Sequence, residues 1–157
     1  MGGRFCSVIF AALLASSVAW AAGDSEDTDA KGVPGDSVIA DVERAQAQKD
    51  WARAAGVLRE ALARAPQNPE YHNRYAFALR KGPDPDMALV FKHYREALRL
   101  KPDHRGAHEY IGEAYLMVGD PAKAKQHLAA LDRICSFGCE EYDDLKQAVA
   151  AYEAKGR

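Results

Sequence analysis

Residues 105–138 read RGAHEYIGEAYLMVGDPAKAKQHLAALDRICSFG. His108, Ile111, Gly112 and Tyr115 fall at helical spacing before Gly119-Asp120, and Ala124 and Leu128 do so after it. Apolar residues recurring three and four apart on both sides of a Gly-Asp turn predict two helices and a short connection. Similar blocks stand upstream. Ala61-Leu62 precedes Pro66, Ala97-Leu98 precedes Pro102, and each proline is followed by a polar pair, Gln67-Asn68 and Asp103-His104. The two prolines are 36 residues apart, a period that signals stacked helical units. Each proline stops the second helix of its pair, because it lacks an amide hydrogen and restricts the residue before it.

This pattern resembles the tetratricopeptide repeat. The resemblance implies an all-α fold, a right-handed superhelix of about three helix-turn-helix repeats over 35–68, 69–104 and 105–138. In that family Gly112 and Ala124 are small so that paired helices approach closely, and Ile111, Tyr115 and Leu128 fill the gap between them. The third unit departs at its end, where Leu131 replaces a small residue and Ser136 a proline. The middle unit matches at Tyr75, Ala76, Leu79, Tyr94, Ala97 and Pro102, with Val90 where alanine is usual. Its turn is long, and Asp84 with Pro85 is expected to open the second helix. The first unit matches at Trp51, Ala54, Leu58, Ala61 and Pro66; its first helix offers only Val38, Val42 and Ala45.

Beyond the repeats, Tyr142, Leu145, Ala148, Val149 and Tyr152 share one face of an expected helix over 139–154. Its other face is charged, as suits a capping helix that keeps the open end of such an array soluble. Tyr142, Leu145 and Val149 are therefore read as core.

Working toward the N-terminus, residues 1–22 read as a cleaved secretory signal peptide. Arg4 gives the positive start, Phe5 to Trp20 the apolar run, and Ala19-Trp20-Ala21 the small-x-small cleavage pattern. Cys6 lies at the wrong end of the run for a lipoprotein. The run is also short for an anchor, so no membrane association is expected after cleavage. Residues 23–36 read as an acidic disordered linker, with five carboxylates against Lys31. The expected location is periplasmic or secreted.

Composition agrees with these assignments and narrows the function. Of 157 residues, about a fifth are alanine, the best helix former. There are 21 basic residues, one of which, Arg4, leaves with the leader, against 23 acidic ones. That balance removes the electrostatic basis for a nucleic-acid partner. No phosphate loop, nucleophile elbow or metalloprotease helix is present in the sequence, so the chain is read as non-catalytic and no cofactor is implied.

The repeat resemblance implies a groove lined by the first helices, holding a protein or peptide partner. Its lining would be Glu43 and Gln46, then Asn73, Arg74, Phe77, Arg80 and Lys81, then Glu109, Tyr110 and Glu113. The family's carboxylate clamp of Lys and Asn side chains is absent, since the third unit offers Glu109 and Glu113. Arg74, Arg80 and Lys81 still form a basic cluster beside Phe77 that could hold a carboxylate.

Cys135-Ser136-Phe137-Gly138-Cys139 is the least ordinary stretch. Gly138 is expected to end the last repeat helix and Cys139 to open the cap. In an oxidising compartment the first reading is a disulfide across that joint. The alternative is copper handling or thiol exchange, with Cys135 and Cys139 as soft metal ligands. The spacing resembles that of thioredoxin-like copper-delivery proteins, but Glu140 stands where those carry proline. A third reading leaves two idle thiols. The run Phe137-Gly138-Cys139-Glu140-Glu141-Tyr142 also resembles a stretch in short exported bacterial repeat proteins.

Overall fold

In a computed structural model the described residues are 1–2 and 34–156, and the chain divides into Met1–Lys31 and Gly32–Arg157. All but the first two residues of the expected signal peptide, and residues 23–33 of the expected linker, lie outside the described residues. The seven helices described below all belong to the second unit.

These are α1 (Pro34–Ala47), α2 (Trp51–Arg64), α3 (Pro69–Lys81), α4 (Met87–Leu100), α5 (Arg105–Met117), α6 (Pro121–Ile134) and α7 (Glu140–Lys155). They pack in chain order as three helical pairs and a cap. α1 takes in residues 34–36, which sequence alone had given to the linker. No described helix is long and apolar enough to cross a membrane.

The helix starts follow from local chemistry. Asp50, Asn68, Asp86, His104 and Asp120 each accept hydrogen bonds from amides of the first turn, meeting donors that the helix leaves unpaired. Pro69 and Pro121 sit in first turns, where a missing N–H costs nothing. The cap of α4 is Asp86, not Asp84: its carboxylate takes the amides of Ala88 and Leu89, and the two extra residues of the turn stay outside the helix.

A turn of the same form joins α1 to α2 and α5 to α6. Asp50 N–H reaches Ala45 O, and Asp120 N–H reaches Tyr115 O, both at 2.9 Å. The turn needs a left-handed residue. Gly119 supplies it at φ 78°, while Lys49 is forced there at φ 56°. At the far end, α6 stops at Ile134, earlier than the expected Gly138, because Cys135 already leaves helical geometry. Gly138, at φ 85°, closes the turn by donating to Cys135 O.

The core runs along the array in two clusters. Val42, Ala45, Ala54, Leu58 and Ala61 pack with Tyr71 and Ala78. Ala76, Val90, Tyr94, Ile111, Ala124, Leu131, Leu145 and Val149 belong to the second cluster. α3 belongs to both. Many of the alanines are buried between helices, where they permit close approach. Gly112 does so for a different neighbour than the repeat resemblance implies: a Cβ there would stand 2.6 Å from Leu145 Cδ2. Its missing side chain receives the cap helix α7, and Leu145 is fully buried as a result.

Candidate functional site

The odd-numbered helices share one face. On it opens a cavity of about 280 Å³, lined by Gln46 of α1, α3, the N-terminal half of α5, and Glu141 of α7. Of the residues expected in the groove, it gathers Gln46, Asn73, Arg74, Phe77, Glu109 and Tyr110. It adds Glu70, His104, Gly106 and Glu141, which sequence reasoning missed.

Phe77 and Tyr110 form an aromatic wall, their ring centroids 4.7 Å apart, and Trp51 meets Phe77 edge-on at 5.9 Å. Asn73 and Glu109 are buried to 4% and 7% exposure. These positions follow from helix geometry: residues 70, 73, 74 and 77 of α3, and 106, 109, 110 and 113 of α5, repeat every three or four and so share a face.

Two of the three residues of the expected basic cluster are already paired with carboxylates. Arg74 pairs with Glu70 and, at 3.2 Å, with Glu43. Arg80 lies under the groove at 7% exposure. Its Nη2 meets Glu113 at 2.6 Å, and its Nε donates to the Tyr94 hydroxyl at 3.3 Å. The guanidinium lies 5.4 Å from the Phe77 centroid and 5.8 Å from that of Tyr110. Arg80 thus fastens α3 and α4 to α5. Arg80 is the buried member of the pair, while Glu113 keeps 31% of its side chain exposed. Lys81 is exposed, its Nζ 5.8 Å from the Phe77 centroid. Glu113 also lines a second cavity, with Asp144 and Gln147 of α7.

The carboxylates of the site differ sharply. The Glu70 carboxyl is held down to about 2, first by the hydrogen bond from His104 and then, against its burial, by Arg74. His104 accepts the Ala107 amide on Nδ1, so the proton sits on Nε2 and is donated to Glu70 at 3.0 Å. Glu109 is the reverse case. Burial first, then the charges of Glu113, Asp144 and Glu141, push its carboxyl up to about 8. Burial, then Glu109, likewise pushes the Tyr110 hydroxyl up to about 12.

Away from the groove lies a feature that repeats with the fold. His72 Nε2 meets Pro66 O at 2.8 Å, and His108 Nε2 meets Pro102 O at 2.9 Å. A carbonyl only accepts, so both Nε2 atoms carry the proton and both Nδ1 atoms are bare. His93 therefore donates from Nδ1 to His72 at 2.8 Å, and His127 to His108 at 2.9 Å. Each pair ties the two helices of its unit. The 36-residue spacing of Pro66 and Pro102 holds also for His72 and His108, a signal that was present in the sequence.

Cys135 and Cys139 are joined in a disulfide, with Cα atoms 5.7 Å apart. The bridge spans the joint between α6 and α7. Closing so small a loop contributes about 2 kcal/mol by chain entropy. Phe137, at its apex, is fully exposed. Among the described residues no group of three or more His, Cys, Asp or Glu side chains is placed to hold a metal ion.

No protein-family model matches the chain. A curated relative, a TPR repeat-containing thioredoxin, TTL4, of Arabidopsis thaliana, is 29% identical over 98 residues, 62% of this chain. The chain spans only 13% of that relative's length. Among solved structures, the Sgt2 TPR domain from Aspergillus fumigatus superposes with a TM-score of 0.68 at 22% identity, covering 78% of this chain and 80% of that one. The TPR2B domain of yeast Sti1, solved as a complex with pHsp70, superposes with a TM-score of 0.68 at 17% identity, covering 76% and 96%. The fold is therefore that of three tetratricopeptide units and a capping helix.

Proposed function

We propose that this chain is a non-catalytic adaptor that holds a segment of a partner protein against the shared face of α1, α3, α5 and α7. The observation that carries this reading is the cavity on that face, walled by Phe77 and Tyr110. A concave site with aromatic walls and a few converging polar groups suits a bound side chain. The structurally similar Sti1 domain, solved with pHsp70, supports a peptide-sized occupant. The leader-like N-terminus and the Cys135–Cys139 bridge support export, to a periplasm or beyond, as the setting.

The test is a peptide-display selection on the full chain, followed by amide chemical-shift mapping of the selected peptides. Shifts centred on Asn73, Phe77, Gly106 and Tyr110 are expected. Selected peptides that perturb only α2, α4 and α6 would overturn the reading.

A further inference from the structure

Two polar groups of the groove cavity are left without partners. Asn73 Oδ1 is buried and meets no hydrogen-bond donor. Glu109, 7% exposed as a residue, makes no hydrogen bond or ion pair among the described residues, and its carboxyl oxygens keep some contact with solvent. A buried acceptor such as Asn73 Oδ1 is uncommon in folded proteins and calls for an explanation.

The neighbouring cations are already engaged. Arg74 serves Glu43 and Glu70, Arg80 serves Glu113, and Arg105 stands 3.6 Å from Glu141. His104 Nε2–H is directed to Glu70. Facing Glu109 are Glu113 on its own helix, Glu141 and Asp144 on α7, and Arg80 on α3. Neither α4 nor α6 contributes to the cavity lining. The cavity lining is thus rich in carboxylates, and its arginine, Arg74, is already paired. A carboxylate ligand would meet Glu109 and Glu141, and the cavity lining itself holds no unengaged Lys or Arg to receive it.

We propose that this cavity takes a basic side chain, lysine or arginine, from the partner peptide. Its N–H groups bridge Asn73 Oδ1 and the Glu109 carboxylate, and its alkyl stem lies along Phe77 and Tyr110. The chemistry fits because ammonium and guanidinium groups are donors only, and aromatic faces attract cations. Apolar stems of long basic side chains also pack on such rings. This proposal rests on the groove reading above and names the chemistry of its occupant.

Ionised Glu109 is the form that binds, and its carboxyl titrates near 8 in the free protein. Binding therefore releases a proton, and affinity rises by up to about tenfold per pH unit between pH 6 and 8.

The experiment is a calorimetric and chemical-shift titration of the full chain. The probes are blocked alanine pentapeptides with lysine, arginine, norleucine or glutamate at the centre. Lysine and arginine peptides should shift Asn73, Gly106 and Tyr110. They should bind at least tenfold more tightly than the norleucine and glutamate peptides at pH 8. Glu109→Gln should abolish that preference and flatten the pH profile. Since it removes only a repelled buried charge, it should keep the helix content; Asn73→Ala is the second variant and should weaken the basic peptides alone. Equal binding of the norleucine peptide, or an unchanged preference in Glu109→Gln, overturns the proposal. If basic peptides fail while display-selected peptides still map to the groove face, the cation site falls and the groove reading stands. If no selected peptide maps there, the groove reading itself falls.

Discussion

The joint between the last repeat and its cap turns on one absent methyl group, which makes it open to a quantitative test. A Cβ on Gly112 would lie 2.6 and 2.7 Å from the two methyls of Leu145, against an optimum near 3.5–4.0 Å. Leu145 is fully buried, so it has no solvent to swing into. Gly112→Ala should therefore incur an overpacking cost of about 1–3 kcal/mol. Against it stands the intrinsic helix preference of alanine over glycine, about 1 kcal/mol. The net expectation is a loss of about 0–2 kcal/mol. Leu145→Ala alone should cost about 2–5 kcal/mol through lost burial and the cavity left behind. In the Leu145→Ala background the obstruction is gone, and Gly112→Ala should stabilise by about 1 kcal/mol. The two changes should thus couple favourably by about 1–3 kcal/mol in a double-mutant cycle. Urea unfolding of the four proteins, followed by far-ultraviolet circular dichroism, measures each step. Additivity within about 0.5 kcal/mol would refute the argument. So would Gly112→Ala stabilising the unaltered background by the full helix increment.

Two further outcomes test the local chemistry. His93 and His127 are held down to about 4, each by burial first and then by its partner histidine. The unfolded chain binds their protons from about pH 6.5, so their contribution is complete above that pH and is lost as pH falls toward 4. After discounting for partial exposure, the loss is about 1 kcal/mol per pair. His93→Gln with His127→Gln keeps a donor toward each inner histidine. It should lessen the fall in stability between pH 7 and 4.5 relative to the unaltered chain; parallel profiles would count against the pairing. Lys49→Gly should relieve the left-handed strain at the α1–α2 turn and raise stability by about 0.5–1 kcal/mol, the difference between that strain and the extra freedom of glycine when unfolded. A drop in thermal midpoint would show that Lys49 is not strained.

The repeat architecture was legible because it rests on local signals that recur. Pro66 and Pro102, the paired small residues, and the Gly-Asp turn each act within a few residues, so spacing alone reveals them. The departures came where two local signals competed or a distant element intervened. Asp84 and Asp86 both look like caps, and only the closure of the long α3–α4 turn decides for Asp86. Gly112 looked like a residue for its own helical pair. Its partner is Leu145, 33 positions on, which no repeat pattern links to it.

The groove shows the same limit in electrostatic form. Helical spacing placed Asn73, Arg74, Phe77, Glu109 and Tyr110 on one face, the one on which the cavity opens, because that depends on periodicity alone. Whether a charge on that face is available depends on what the neighbouring helices bring. Arg74, Arg80 and Lys81 read in sequence as a basic patch. Glu70 on the same helix and Glu43 on α1 engage the first, Glu113 on α5 engages the second, and Lys81 stays exposed beside Phe77. What remains inside the cavity is Glu109, with no partner and with acids on two helices around it. Within the cavity lining the group without an ion pair is therefore acidic, where the sequence had suggested a basic patch. Counting arginines along one helix overstates positive potential wherever the adjacent helix carries carboxylates in register, and here α1 and α5 both do. On the proposed reading, the specificity of this groove rests with groups left over after internal pairing, Asn73 Oδ1 and Glu109 among them.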